Sequence, residues 1–480
     1  MRRSFGLLLA SLVACAAGGT TGCSPKRDEK PPTTKEAIAE AGALAASTPA
    51  PSAAPVPACA ALDPAKIAPL ATCTATVVKT PVPEIVDEHH SLSPFFDRLA
   101  ALERGSAARP LRIAIYGDSN LTSDFLPGHL RRVLQTRYGD AGHGWVSLSR
   151  PWGSYRHEDV SNAGFWPMFK LYAPTTHLAH DKQYGFANMA AESSEIGASA
   201  WAGTTKDPKA KVGQKVSRFE LHYLKQPRGG SFTVQIDRKD VRSIETRAPA
   251  FEAGIETFEV DDGPHELRCV VRGDGKVRLF GASLDRSPAM SDDAPGKPGI
   301  QIDSLGAGAL NYERLTWVAN DTRRTQLARR AYDLVVIWLG MNVMFVPPNR
   351  DYAKTFITEL QAALPAVPIL VLGPSDTVKE GQTKSAPRIV TVARQMREVA
   401  AEAGVAFWDF REAMGGDGSI IGFTKRGLTG KDHIHFGPEG SRLMGDRLLC
   451  ALSSSFAAHA TEHPQAGCRA ADADAGAPPR

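Results

Sequence analysis

The chain has 480 residues, with 56 Lys and Arg against 52 Asp and Glu, 42% hydrophobic and 22% charged residues. That length is a soft prior of about three domains, and the proportions exclude both full-length disorder and a small cross-linked scaffold. A net charge of only +4 gives no electrostatic basis for binding nucleic acid.

Arg2 and Arg3, followed by the apolar run Phe5 to Ala14, predict an export signal over residues 1–23; the run is too short to span a bilayer. Small residues precede both Cys15 and Cys23, as in lipoprotein processing sites. Cys23 leaves the more usual signal length and is the expected lipidation site, with Cys15 the alternative. Residues 24–57 hold seven Pro, nine Ala, eight balanced charges and no aromatic side chain, so they cannot bury enough apolar area to offset their ordering entropy. They are expected to be a tether. Export permits disulfides: Cys59 and Cys73 could close a short loop, Cys450 and Cys468 could pin the tail to the last helix, and Cys269 sits inside a strand pattern as a buried thiol.

From Leu111 the run Leu-Arg-Ile-Ala-Ile-Tyr-Gly predicts a strand, and after a turn Leu130, Val133 and Leu134 share one helical face. Between about Lys215 and Arg286 the period is two: Phe219, Leu221, Tyr223; Phe232, Val234, Ile236; Leu267, Cys269, Val271; Val277, Leu279. Strand and helix patterns then alternate: strand 332–339, helix 352–364, strand 367–372, helix 388–403, strand 406–410, helix 438–452. The expected fold is therefore a doubly wound, mostly parallel α/β sheet with an antiparallel β-sandwich inserted into it.

The first strand ends at Gly117-Asp118-Ser119-Asn120, where open α/β sheets bind ligands and a turn can expose a serine hydroxyl. Far along the chain, just before the last helix, stands Asp432-His433-Ile434-His435-Phe436. Two residues between carboxylate and imidazole on a turn let the acid accept from one ring nitrogen while the other faces outward. A serine hydroxyl is a poor nucleophile near neutral pH and needs such an imidazole, with a carboxylate to hold its tautomer.

These two motifs resemble the first and last sequence blocks of the SGNH, or GDSL, hydrolase superfamily. The resemblance implies a flavodoxin-like sheet order, Ser119 as nucleophile, His435 as general base and Asp432 as its orienting acid. It further implies an oxyanion hole from the Ser119 amide, Gly306 in Asp303-Ser304-Leu305-Gly306 (Gly308 being less favoured) and Asn342 in Trp338-Leu339-Gly340-Met341-Asn342. The chain departs from the common pattern at Asn120, where many members have Leu, and at Val343, where an acidic residue often follows the Asn. Asp118 is expected to cap the turn and His433 to face solvent. No metal or cofactor is implied.

The run Tyr138-Gly139-Asp140-Ala141-Gly142-His143-Gly144-Trp145 and a β insert between the Ser and Gly blocks resemble bacterial peptidoglycan O-acetylesterases, whose insert is similar to a carbohydrate-binding module. On this basis residues 58–172 and 296–455 form the hydrolase domain, 173–295 the insert and 456–480 a tail. The implied substrate is O-acetylated polysaccharide, with peptidoglycan glycan foremost. The implied location is the periplasm or cell envelope, with a lipid anchor in the membrane. An acetyltransferase using the same triad and a non-catalytic wall-binding lipoprotein are the alternatives. Seven aromatics between Trp145 and Tyr172 could stack on sugars, although most are expected to pack the insert against the main domain.

Overall fold

The structure, a computed structural model, describes residues 60–468 apart from 68, 74–76, 154, 172–177, 288–297 and 344–349. The signal and tether expected over 1–23 and 24–57, with Cys15, Cys23 and Cys59, lie outside the described residues. No helix among the described residues is long and apolar enough to cross a membrane.

Helix α1 (Ser93–Arg104) precedes strand β1 (Leu111–Gly117), which is buried at every residue except the half-buried Arg112. Such a continuous apolar run marks a strand covered on both faces. Helix α2 (Phe125–Tyr138) follows and ends at Gly139, whose φ of 106° releases the chain from helical geometry. The chain then leaves for eleven short strands, β2 (Gly144–Val146), β3 (Val160–Gly164), β4 (Met168–Lys170), β5 (Met189–Ser193), β6 (Ser199–Thr204), β7 (Val216–Lys225), β8 (Ser231–Ile236), β9 (Lys239–Glu245), β10 (Glu252–Gly263), β11 (Glu266–Val271) and β12 (Val277–Asp285). It returns as β13 (Ile300–Gly306), α3 (Tyr312–Leu315), α4 (Asn320–Arg330), β14 (Leu334–Trp338), α5 (Arg350–Ala363), β15 (Ile369–Leu372), α6 (Pro387–Glu402), β16 (Ala406–Trp408), α7 (Phe410–Met414), α8 (Ser419–Lys425) and α9 (Pro438–Glu462). Helix α6 buries Ile389, Val392, Ala393, Met396, Val399 and Ala400, the spacing that puts one stripe on the sheet.

One sheet is parallel throughout, in the order β13-β1-β14-β15-β16. Numbered within the sheet this is 2-1-3-4-5, which places the switch of strand order beside β1. Two antiparallel sheets, β10-β7-β12-β5-β4 with β2 on β12, and β3-β6-β11-β8-β9, make the insert. Its inward residues Phe219, Leu221, Phe232, Val234, Leu267 and Cys269 are buried in one apolar cluster, and Cys269 is a free, buried thiol.

Two boundaries and the disulfide pairing differ from the sequence reading. The insert begins well before residue 173, because β2, β3 and β4 all pair with insert strands. Gly144, at φ 89°, lets β2 lie against the Asp303 side chain, where any Cβ would collide. The tail does not start at 456: α9 runs to Glu462, and Phe456 is fully buried against Phe96. Finally, Cys73 is bonded to Cys450, with Cα atoms 5.6 Å apart, so neither the Cys59–Cys73 nor the Cys450–Cys468 bridge forms. The arm before α1 runs along the last helix, Leu62 N donating to Pro464 O and Leu70 N to Ser453 Oγ. That contact brings Cys73 beside Cys450 across a sequence separation of 377. Cys468 is disulfide-bonded as well.

A buried polar network joins the insert to the parallel sheet. Arg330, at the end of α4, donates to Asp303 (2.9 Å) and Gln301 (2.8 Å) on β13 and approaches Glu220 on β7 and Asp285 on β12 at 3.3 and 3.4 Å. Asp303 also accepts from Trp145 N at 2.8 Å and from the Tyr332 hydroxyl. Burial opposes charge on Arg330, but the carboxylates of Asp303 and Asp285 outweigh it and hold the guanidinium charged.

A second buried group, beneath the first turn of α2, gives the fold a measurable pH dependence. His143 Nε2 lies 3.0 Å from His157 Nδ1, and both rings are buried. Burial, with a smaller effect of the Arg131 charge, pushes His157 down to about 4 against the opposing pull of Asp124. The unfolded imidazole binds its proton near pH 6.5, so between about 6.5 and 4 the unfolded state holds the extra proton. Stability from this group is complete above 6.5 and is lost as pH falls, at about 1.4 kcal/mol per pH unit. Urea unfolding of His157→Gln at pH 7, 6 and 5 should show a flatter decline than the wild type; equal slopes would contradict the assignment.

Candidate active site

The site lies at the carboxyl ends of β13, β1 and β14, where the order of the sheet switches. After β1 the chain makes a tight 3₁₀ turn, Ser119–Leu121, whose cap is Asp118: its carboxylate accepts from Asn120 N at 3.0 Å. Leu121 fills the space beside Gly117 and Gly306, and a Cβ on Gly306 would stand 2.6 Å from the Leu121 Cβ. Glycine is therefore required at 306 by the close approach of the turn that carries Ser119.

Ser119 Oγ lies 2.8 Å from His435 Nε2, and His435 Nδ1 lies 2.6 Å from Asp432 Oδ2. The other oxygen of Asp432 accepts from the backbone NH groups of Ile434 (3.0 Å) and His435 (3.2 Å). Partial burial pushes the Asp432 carboxyl up, but the His435 ring and these amides outweigh it and leave it below the usual carboxylate range. It stays ionised where a neutral imidazole is needed. Phe436 anchors this loop, packing against Trp338, Phe410 and Phe423 at centroid distances of 5.9, 5.7 and 6.0 Å.

Asn342 sits in the 3₁₀ turn that follows β14. Its Nδ2 donates to Leu310 O at 3.0 Å, which orients the amide and leaves its second hydrogen for another acceptor. Gly306 ends β13, in register with Gly117 on β1. Ser119, His435 and Asp432 are thus joined by hydrogen bonds, while Gly306 ends β13 and Asn342 lies in the turn after β14, the two strands beside β1. If the Asn342 amide stabilises the developing oxyanion, Asn342→Ala lowers kcat for a small acetyl ester by about 10² to 10³; unchanged turnover would remove it from the site.

Asn120 has a role that sequence reasoning missed. It is buried, and its Oδ1 accepts from Phe436 N at 3.0 Å, so it ties the Ser119 turn to the loop bearing His435. The only signal was its departure from the Leu that is common there. Asp118 beneath it is pushed up to about 6 by burial, against the lowering effect of the Asn120 amide and the His435 charge. Asn120→Leu should lower kcat by about tenfold through a loosened Ser119–His435 contact, with KM nearly constant; a fall in KM alone would contradict this. His433 is only partly open to solvent, with Nδ1 2.8 Å from Thr424 Oγ1.

The Asp432 and His435 side chains are 47% and 49% exposed, so the reactive groups lie on an open surface. A cavity of 370 Å³ lies elsewhere, over the Cys73–Cys450 bridge. Among the described residues, Asp124, His143 and His157 form the one group spaced to hold a metal ion. The Asp124 carboxylate, however, already accepts from buried Arg131 at 2.8 and 3.3 Å and from Glu158 N at 3.2 Å, which leaves little attraction for a cation.

Residues 277–443 match the family model of the GDSL-like Lipase/Acylhydrolase family. Together with the parallel sheet, that match defines a carboxylic ester hydrolase. More narrowly, the chain carries a GDSL-like lipase/acylhydrolase domain, and the matched stretch holds Gly306, Asn342, Asp432 and His435 while Ser119 lies before the insert. Among solved structures, a peptidoglycan O-acetylesterase is similar at a TM-score of 0.62 and 20% identity, covering 78% of this chain and 99% of that one. A family two carbohydrate esterase from Clostridium thermocellum, in complex with cellohexaose, matches at a TM-score of 0.26 and 11% identity over 55% of this chain and 94% of that one. No curated protein matches the chain. The first of these likenesses establishes the fold.

Proposed function

We propose that the protein is a serine esterase that removes O-acetyl groups from cell-wall polysaccharide, with the glycan of peptidoglycan as its substrate. The observation that carries this reading is the continuous relay from Ser119 Oγ to His435 Nε2 and from His435 Nδ1 to Asp432. His435 takes the Ser119 proton as the oxygen attacks the acetyl carbonyl. The Ser119 and Gly306 amides and the Asn342 side chain stabilise the oxyanion. The protonated imidazole then gives its proton to the departing sugar hydroxyl, leaving an acetyl-serine. Water, deprotonated by His435, attacks that ester, releases acetate and restores the serine.

Three features support the substrate class. The reactive groups are open to the surface, as access by a polymer requires. The fold neighbour of 0.62 TM-score is a peptidoglycan O-acetylesterase. Two antiparallel sheets stand between the Ser and Gly blocks, which is compatible with the carbohydrate-binding-like insert expected from the sequence. The signal and tether expected over residues 1–57 support a location in the cell envelope, with a lipid on Cys23 as the proposed anchor. Acetate release from O-acetylated peptidoglycan, measured with and without a de-acetylated acceptor glycan, tests the reading. Release that is independent of acceptor is expected. Acetate appearing on the acceptor instead would make the enzyme a transferase, and no release would refute the substrate.

A further inference from the structure

The aromatic run that enters the insert divides sharply by burial. Trp145, Tyr155 and Trp166 are 1%, 2% and 5% exposed and serve as core, whereas Trp152 is half-buried and Phe165 is 94% exposed. Trp152 packs against the loop that follows β13, and its own loop is tied to the turn that carries Ser119. Gly308, two residues past Gly306, would carry a Cβ 3.0 Å from Cε2 and Nε1 of Trp152, so the indole lies against the backbone of the oxyanion loop. On the other side, Tyr155 N donates to Trp152 O at 3.1 Å, Arg156 N approaches Thr122 O at 3.4 Å, and Thr122 Oγ1 donates to Ser119 O at 2.8 Å. The loop that carries Trp152 is thereby fastened to the nucleophile turn.

The same loop reaches Phe165. Arg150 N donates to Gly164 O at 3.3 Å, one residue before Phe165, and Lys170 Nζ donates to Pro151 O at 2.9 Å while standing 5.9 Å from the Trp152 ring centre. A fully exposed phenyl group costs solvation and contributes no packing, and here it follows a loop already anchored at the site. Indole and phenyl faces suit the apolar face of a pyranose ring, and the indole NH supplies a polar handle.

We propose that Trp152 and Phe165 form a sugar-ring platform contributed by the insert, which holds a saccharide unit of the acetylated glycan beside Ser119; this deepens the esterase reading above and rests on it. Gly308 is part of the device, because a Cβ there would crowd the indole and push it off the loop. The platform discriminates a polymer, which covers both rings, from a small acetyl ester, which covers neither.

The test is the ratio of kcat/KM for acetate release from O-acetylated peptidoglycan to kcat/KM for p-nitrophenyl acetate. Trp152→Ala should lower that ratio at least tenfold, mainly through KM for the polymer, and Trp152→Phe should restore most of it. Phe165→Ala, a change at a fully exposed side chain that cannot disturb folding, should lower it about threefold to tenfold. A ratio unchanged in both alanine variants overturns the platform. Wild-type enzyme that cleaves the small ester but frees no acetate from the polymer overturns the substrate reading instead, and the platform's ligand with it.

Discussion

Replacing Ser119 by Ala should lower kcat for acetyl-ester hydrolysis by on the order of 10⁴ to 10⁶, with the fold intact. The size follows from the arrangement of the three groups. With the hydroxyl gone, His435 has no nucleophile to deprotonate, and the hydrogen bond between Asp432 and His435 persists without a function. What remains is water attack beside the oxyanion donors, which is why the residual rate should still exceed that of buffer. The side chain is half-buried and small, so its loss leaves no appreciable cavity. Steady-state turnover of p-nitrophenyl acetate, with far-ultraviolet circular dichroism on the same samples, checks this. Activity within tenfold of the wild type would mean that another group is the nucleophile.

Arg330→Met should destabilise the protein by about 3 to 5 kcal/mol, a large share of the roughly 5 to 15 kcal/mol available to a folded chain. Arg330 is 1% exposed and faces Asp303, Asp285 and Glu220, which come from three strands in two different sheets. Removing the cation leaves three carboxylates in a buried space. Glu220 and Asp285 are pushed up by burial, yet His222 and Arg330 for Glu220, and Arg330 and Arg112 for Asp285, hold both below the ordinary carboxylate range. Their contribution is therefore present above the unfolded pKa near 4 and is lost as pH falls below it. Without Arg330 that order reverses, and the variant should gain stability on mild acidification. Urea midpoints at pH 7 and 5 measure both effects, with the exposed Arg324→Met as a control expected within about 0.5 kcal/mol. An Arg330→Met midpoint equal to the control would contradict the account.

The network also explains which parts of the fold were legible in the sequence. Strands β1, β14 and β15 are continuous apolar runs buried on both faces, and their periodicity declares them. Strand β13 is just as buried, but Gln301 and Asp303, whose side chains face Arg330, interrupt the apolar Ile300, Ile302 and Leu305. A pattern of hydrophobicity cannot distinguish such a strand from a loop. The entry to the insert was missed for a related reason: β2 and β4 have three residues each, and their membership depends on partners more than a hundred residues away in the case of β2 and β12. The disulfide pairing failed because short loops were preferred, whereas the fold lays the N-terminal arm along the final helix. The sequence could single out Ser119, His435 and Asp432, which the structure joins by hydrogen bonds, because the proposed chemistry demands those residue types on turns. Asn120 could not, since its value lies in one hydrogen bond to an amide 316 residues distant.

Covalent capture of the nucleophile tests the account most directly. Incubated with a small alkyl fluorophosphonate, the wild-type protein should gain one adduct by intact mass, peptide mapping should place it on Ser119, and His435→Ala should abolish the labelling. An adduct on a different residue, or a labelling rate that His435→Ala leaves unchanged, would show that Ser119 is not activated as the geometry requires.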